Sequence, residues 1–361
     1  MLITRFKLLD WFSLVLIIAL SSIGLAFVFS ATYAPHAPLS IFFKKQCIGV
    51  ITGLMLYLIF FFIDVRTLQQ WGPLLYFVTI GLLIFTMIKG TIGLGAQRWI
   101  NFGFVKFQPS EIAKLFFPAF FTYHLRNAIN QPFTKKLFIP ILFTLGISCL
   151  LILKQPDLGT ALIILFSGLV MLWLAGIGKK FFFVGLAIII LGAPLGWKHL
   201  KPYQKKRIVV FLGGGTSNKE RYQIEQSQIA IGSGGVWGKG YLQGTQNRFN
   251  FLPESRTDFI FAVICEEWGL VGALMVLGLF GALFLRLLYL IAILTNPYHQ
   301  LLASGLLAPI IFSTIVNIGM VIGILPIVGI PLPFITYGIT HLWMSFASLG
   351  WINNIVRFQA H

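Results

Sequence analysis

Ionisable side chains are scarce in this chain, and those embedded in apolar sequence stand at spacings that let them interact. Glu111 and Lys114 are three residues apart, which on a helix puts a carboxylate and an ammonium on one face, able to neutralise each other. Asp157 follows Gln155-Pro156 at the start of another apolar run; a helix N-terminus favours a carboxylate there, and the residue offers a second acid for Lys114. Asp258 ends a basic stretch and opens an apolar one in Ser255-Arg-Thr-Asp-Phe-Ile-Phe261. It reads either as an acid in a first helical turn behind a Thr257 N-cap or as a carboxylate kept for function. Charge at bilayer depth costs at least about 2.5 to 3.5 kcal/mol, so each of these groups is a functional candidate. The structural alternative is an ion-pair network or a helix cap. Glu266 and Glu267, two turns beyond Asp258, are expected to pair with basic groups inside the bundle.

Several other chemistries are excluded. His36, His124, His199, His299, His341 and His361 are scattered and form no HExxH zinc motif. Gly232-Ser-Gly234 is neither a nucleophile elbow nor, with Val236-Trp237 after it, a dinucleotide fingerprint. Gly238-Lys239 lacks the spacing of a phosphate-binding P-loop. Cys47, Cys149 and Cys265 lie inside apolar runs and read as small buried hydrophobes.

The elements that must position these residues follow from composition. The chain is 57% hydrophobic and 10% charged, far from the roughly 25% charged of soluble proteins. That excludes a soluble enzyme, a disordered tail and a disulfide scaffold. Apolar runs cover Trp11–Ser30, Gln46–Ile63, Leu74–Ile88, Ser110–Leu125, Leu137–Leu153, Gly159–Gly178, Phe181–Gly196, Phe259–Leu294, Leu301–Leu325 and Gly338–Val356. They predict an all-α polytopic membrane protein of ten transmembrane helices, a single integral membrane domain over residues 1–361, with no cleavable signal. Arg5, Lys7, Arg66, Arg126, Lys135, Lys136, Lys179, Lys180, Arg286 and Arg357 flank one side; Lys44, Lys45, Arg98, Lys106 and Lys154 flank the other. The positive-inside rule then makes both termini cytoplasmic, with residues 197–257 a large extracytoplasmic loop between helices 7 and 8. The net charge of +17 sits at the ends of apolar runs, where membrane lipid headgroups and lipid diphosphates attract it; no nucleic acid is implied.

Five phrases in order carry a resemblance: Gly95-Ala-Gln-Arg98-Trp99-Ile, Gln108-Pro-Ser-Glu111-Ile-Ala-Lys114-Leu, Gln155-Pro-Asp157-Leu-Gly-Thr160-Ala, Gln226-Ser-Gln-Ile-Ala-Ile-Gly-Ser-Gly-Gly235 and Phe251-Leu-Pro-Glu254-Ser-Arg256-Thr-Asp258-Phe-Ile-Phe261. Over essentially its whole length the chain resembles the SEDS family of bacterial cell-wall polymerases. Gly238-Lys-Gly240 and Gly244-Thr-Gln246 place it nearer the elongation branch than the division branch. The resemblance implies a peptidoglycan glycosyltransferase of the bacterial inner membrane, working within the elongation machinery. It would join lipid II units on the extracytoplasmic side with a class B penicillin-binding protein as partner.

It also carries the catalytic role to Asp258, as general base toward a sugar hydroxyl or, alternatively, as ligand to a divalent cation, Mg or Mn. The leaving diphosphate needs positive charge, for which Arg98, Lys114 and Arg256 are candidates. Trp99 is expected to pack on lipid or sugar, Glu111, Lys114 and Asp157 to shape an internal cavity, and Glu254 to belong to the substrate site. One phrase departs from the family: Pro333-Phe-Ile-Thr336-Tyr-Gly338 runs into Ile339-Thr340-His341 where a glycine and two serines are usual, which is expected to stiffen the approach to the last helix. The competing readings are a flippase for lipid II, which would depend on Glu111, Lys114 and Asp157 rather than Asp258, a division-type polymerase, and a noncatalytic scaffold.

Overall fold

The computed structural model describes residues 9–36, 38–93, 96–101, 103, 106–125, 135–199, 204–205, 209–210, 218–249 and 251–359. Arg5, Lys7, Gly95, Arg126 and His361, which figure in the sequence reading, lie outside them. The elements in chain order are α1 (Trp11–Thr32), α2 (Ile41–Phe62), α3 (Val65–Lys89), β1 (Thr91–Gly93), β2 (Ala96–Asn101), β3 (Lys106–Phe107), α4 (Pro109–Leu125), α5 (Lys135–Lys154), α6 (Leu158–Leu174), α7 (Lys179–His199), α8 (Asn218–Gly234), α9 (Thr245–Arg248), α10 (Ile260–Ala292), α11 (Pro297–Val321) and α12 (Ile339–Gln359).

Helix starts are written in short polar side chains. Asp10, Asp64 and Asp157 accept from Ser13 N (3.2 Å), Arg66 N (2.8 Å) and Thr160 N (3.2 Å) at the heads of α1, α3 and α6. Ser40 and Asn296 do the same for α2 and α11. Each such cap satisfies an orphan N–H and contributes about 1 kcal/mol.

The helices are apolar on all sides, so burial and not hydrophobicity marks their inner faces. On α2, Ile48, Ile51, Met55 and Ile59 are exposed, whereas Gln46, Gly49, Gly53, Tyr57 and Phe61 are buried against the bundle. An exposed apolar face opposite a buried face that holds a glutamine is the pattern of a helix facing lipid. Among the described residues, α1, α2, α3, α10 and α11 are long and apolar enough to cross a membrane, and Ile139–Lys154 and Leu158–Leu174 are shorter apolar helices. The protein is thus a mostly helical membrane protein.

The core falls into two large packed groups and a small third one. The largest draws mainly on α1, α2, α10, α11 and α12, the next mainly on α3, α4, α5 and α6, and the third is Ile163, Val316 and Ile330. α11 joins the two large groups, since it packs against α6 and α4 as well as α10 and α12.

Two features depart from expectation. The chain is not all-α: residues between α3 and α4 form a three-stranded antiparallel sheet, ordered β1-β2-β3, with Thr91 opposite Trp99 and Ile100 opposite Phe107. Strands this short are set by pairing to each other and by contact with α3 and α4, so no apolar periodicity announced them. The 197–257 stretch is also partly helical, since α8 and α9 lie within it and α8 packs along α10.

α10 is interrupted at Gly269, whose φ of 65° and ψ of −159° are not helical. The backbone groups freed there are taken up by the segment after α8. Lys239 N and Gly240 N donate to the carbonyls of Glu266 and Glu267 (both 3.0 Å), and Leu270 N and Val271 N donate to those of Gly235 (2.9 Å) and Val236 (3.2 Å). The approach is too close for side chains: a Cβ on Gly234 would lie 2.0 Å from Cys265 O, and one on Gly269 would lie 2.3 Å from Gly238 N.

Candidate active site

The turn from Phe251 to Phe259 carries three of the sequence-predicted residues, Glu254, Arg256 and Asp258. Glu254 adopts a left-handed φ of 55°, a conformation costing a non-glycine residue roughly 1 to 2 kcal/mol. It turns the chain so that its carbonyl accepts from Thr257 N (3.1 Å) and Phe259 N (3.3 Å), while its Oε2 accepts from Thr257 Oγ1 (3.2 Å). Thr257 is therefore not an N-cap. The cap position of α10 belongs to Phe259, with no side-chain cap, and Asp258 lies before the helix, half-buried. The guanidinium of Arg256 stacks 4.1 Å from the centroid of the Phe42 ring, which fixes the turn to α2.

A second group surrounds Asp157. Its carboxylate caps α6 and accepts from Gln108 Nε2 (2.8 Å) and Ser110 Oγ (3.3 Å), with Arg98 Nη1 3.6 Å away. The cation facing Asp157 is thus Arg98, not Lys114. Sequence separation hid this pairing, because β2 delivers Arg98 to the head of α6 through the sheet. Trp99 follows Arg98 on the same strand, and consecutive strand residues point to opposite faces. Trp99 is therefore on the other side of the sheet from the Asp157 pair.

The third group is buried between α4 and α12. Lys114 Nζ lies 2.6 Å from Glu111 Oε2, as their spacing predicts. His341 joins them, its Nδ1 3.0 Å from the same Glu111 oxygen and 3.4 Å from Lys114 Nζ. A small cavity here is also lined by Ser313, Ser345 and Ser348. The departure at residues 339–341 therefore does more than stiffen the approach to α12. It supplies a third member of a buried charge cluster, and Thr340 Oγ1 donates to Lys106 O of β3 (3.2 Å).

One segment brings the three groups together. Residues 328–330 lie against the head of α6, where a Cβ on Gly159 would meet Val328 O at 3.1 Å, and Gly329 faces Asp258 Oδ2. Further on, Tyr337 N donates to Arg256 O (3.0 Å), and four residues later His341 reaches Glu111. The heads of α4, α6, α10 and α12 accordingly converge at one end of the bundle. Four helix N-termini concentrate positive potential; Glu111 and Asp157 offset it on α4 and α6, whereas the first turns of α10 and α12 contain no acid. Among the described residues, no three of His, Cys, Asp and Glu gather as a metal-binding cluster.

The family model described as cell cycle protein, FtsW/RodA/SpoVE, matches residues 3–361. The chain belongs to this family. Within the FtsW/RodA/SpoVE family, peptidoglycan glycosyltransferase MrdB of Escherichia coli K12 is 40% identical over 313 residues, covering 84% of this chain and 82% of its own. Peptidoglycan glycosyltransferase RodA of Treponema pallidum is 31% identical, covering 96% of this chain and 97% of its own. Among solved structures, a chain from a peptidoglycan synthase complex, described for its coordination of polymerization and crosslinking, superposes with a TM-score of 0.84 at 29% identity, covering 97% of this chain and 98% of that one. Rod shape determining protein RodA of Thermus thermophilus gives 0.74 at 26% identity, covering 98% of each chain.

Sequence reasoning singled out the acids of this candidate site and did not single out its amides. Asn317 is fully buried near the end of α11 and donates from Nδ2 to Asp258 O (3.0 Å) and Ile330 O (2.7 Å). Gln46, fully buried on α2, donates to Thr336 O (3.1 Å) and faces Gly338 N at 3.4 Å. The available signal was an uncharged amide inside an apolar run, a position costly to occupy without partners. Of the two buried acids on α10, Glu266 pairs with Lys239 (2.7 Å) as expected, whereas Glu267 is held by Ser30 Oγ and Leu242 N instead of a base.

Proposed function

We propose that this chain is a peptidoglycan glycosyltransferase of the elongation type, polymerising lipid II with Asp258 as general base. The observation that carries the reading is the Asp258 turn. It is half-buried, braced by α2, α11 and the 328–338 segment, and set where four helix N-termini meet. Family membership and relatives named peptidoglycan glycosyltransferase support the activity.

Joining a sugar hydroxyl to an α-linked polyprenyl-diphosphate sugar with inversion gives a β-1,4 bond. The carboxylate of Asp258 takes the proton of the attacking hydroxyl as the C–O bond to diphosphate breaks. The leaving diphosphate gathers negative charge, which the acid-free first turns of α10 and α12, Arg256 and Arg98 offset. Glu254 shapes the turn, Glu111, Lys114 and Asp157 line the interior, and Trp99 offers a stacking face on the outer side of the sheet. A divalent cation, Mg or Mn, would arrive on the diphosphate and neutralise the leaving group, since Mg2+ is commonly held by one carboxylate plus phosphate oxygens and water; holding it is the alternative role for Asp258, in place of the base role.

The reading places ten helices across the bilayer as one integral membrane domain over residues 1–361. Both termini are cytoplasmic, and residues 197–257 lie outside the membrane between the seventh and eighth crossings. Lipid II and membrane lipids reach the site from the bilayer. A class B penicillin-binding protein is the proposed partner within the elongation machinery, in keeping with the structural likeness to a chain of a synthase complex.

The test is glycan-strand formation from labelled lipid II by the full-length chain copurified with its class B penicillin-binding protein. Wild type is expected to make strands and a folded Asp258→Ala to make none, and chelation by EDTA to abolish synthesis until Mg2+ or Mn2+ is restored. Equal product from both proteins would remove Asp258 as the base, and lipid II translocation without polymerisation would favour the flippase reading.

A further inference from the structure

The Asp258 turn makes its contacts to the rest of the protein largely through backbone, and one buried side chain reaches the carbonyl of Asp258 itself. Asn317 Nδ2 donates to that carbonyl and to the carbonyl of Ile330, at 3.0 and 2.7 Å, from a fully buried site on α11. The amide orientation follows from chemistry. Rotated by 180°, Asn317 would set Oδ1 against two carbonyl oxygens with no proton between them. In the orientation observed, Oδ1 has no hydrogen-bond partner among the described residues. A buried amide acceptor left unpaired costs on the order of 1 to 3 kcal/mol, and a leucine of similar size would avoid that cost. The position spends stability on the two bonds made by Nδ2, and those bonds tie the Asp258 turn to the segment that faces its carboxylate.

That segment is built to be held. Gly329 has a φ of 73°, and a Cβ there would stand 3.4 Å from Asp258 Oδ2, so the residue next to Ile330 forms a wall beside the carboxylate. Gln46 pins the far end of the same segment at Thr336 and Gly338, and Tyr337 N returns to Arg256 O.

We infer that Asn317 is a positioning residue for the Asp258 carboxylate, holding the Asp258 turn and residues 329–330 at a fixed separation so that the base faces the sugar hydroxyl. The inference rests on the reading of Asp258 as general base. A reacting group displaced by about 1 Å loses on the order of 10²-fold in rate, and freeing one backbone contact of the turn permits a shift of that size.

The experiment measures steady-state polymerisation of lipid II across pH by the full-length chain in complex with its class B penicillin-binding protein. Wild type, Asp258→Ala, Asn317→Leu, Asn317→Ser and Gly329→Ala are compared, each checked for folding by size-exclusion profile and thermal midpoint. Asn317→Leu is expected to lower kcat by about 10- to 100-fold, to leave the KM for lipid II within about 2-fold, and to displace the acid limb of the kcat profile. Asn317→Ser, which keeps one donor, falls between Asn317→Leu and wild type. Wild-type kcat in both Asn317 variants, with Asp258→Ala inactive, would overturn the positioning role and leave the base assignment standing. A raised KM with kcat and acid limb unchanged would also overturn it, by making Asn317 merely structural. Activity in Asp258→Ala would remove the base reading and this inference with it. Should Asn317→Leu fail to fold, Asn317→Ser and Gly329→Ala decide, since an intact acid limb and kcat in both would sink the proposal.

Discussion

Glu111 is asked to hold two partners with one oxygen. Lys114 and His341 both approach Oε2 in a site where all three residues are buried, so removing any one leaves the others with a charge poorly balanced in a buried site. Breaking a buried ion pair from one side costs about 3 to 5 kcal/mol, whereas replacing both charges with apolar groups is often neutral. Lys114→Met is therefore expected to lower the thermal midpoint of the purified protein far more than the double change Glu111→Leu with Lys114→Met. His341→Ser should fall between wild type and Lys114→Met. A double mutant as unstable as the single one would show that the pair is not the dominant interaction. The i,i+3 spacing made Glu111 and Lys114 legible in sequence, because local geometry alone brings them together. His341 was visible only as a departure from the expected phrase, since its role depends on where the first turn of α12 sits against α4. The amides of Asn317 and Gln46 were still harder to read, because their partners are carbonyls and every residue has one.

At the scale of elements, the long helices could be read from hydropathy and the short strands could not. Six residues of β2 hold both Arg98 and Trp99, and only a strand separates their side chains onto two faces, so the Arg98–Asp157 contact was hidden until the sheet was placed. The end of α8 and the break in α10 form the other element-scale device. At about 1.5 Å per residue, the 33 residues of α10 would run about 50 Å as one rod, well beyond a bilayer core of about 30 Å. The interruption at Gly269 leaves residues 270–292, about 35 Å, as a crossing of ordinary length. Gly269→Ala must accept an unfavourable φ and a Cβ overlap with Gly238 N. A loss of about 2 kcal/mol or more is expected, read as a lowered midpoint in thermal unfolding. Gly278→Ala, on the same helix with open space beside it, serves as control and should be neutral or slightly stabilising.

For the whole molecule, the two large core groups and the shared helix α11 explain how a site can draw on residues from position 46 to position 341. The acids of the candidate site and the long apolar helices stood out in the chain, because an expensive charge in apolar sequence is conspicuous. Convergence of the helix heads did not, because it is a property of packing. The proposed topology is checked by cysteine labelling in a background where Cys47, Cys149 and Cys265 are replaced by alanine. Trp237→Cys, at a site 81% exposed in the 197–257 stretch, is expected to react with a membrane-impermeant maleimide in intact spheroplasts. Lys180→Cys, in the first turn of α7, should react only after lysis. The reverse pattern would invert the orientation of the chain.

The order in which the chain is synthesised gives the Gly269 break a further meaning. Residues 235–240, which supply the four backbone hydrogen bonds at the break, are synthesised before residues 266–271. The second half of α10 carries no acid and one basic residue, Arg286, and can enter lipid as an ordinary apolar segment. The first half holds Glu266 and Glu267, and its backbone partners at 235–240 precede it in the chain. Synthesis order, on this arrangement, supplies the 235–240 template ahead of the helix it braces, and the Asn317 and 328–338 contacts to the Asp258 turn only afterwards.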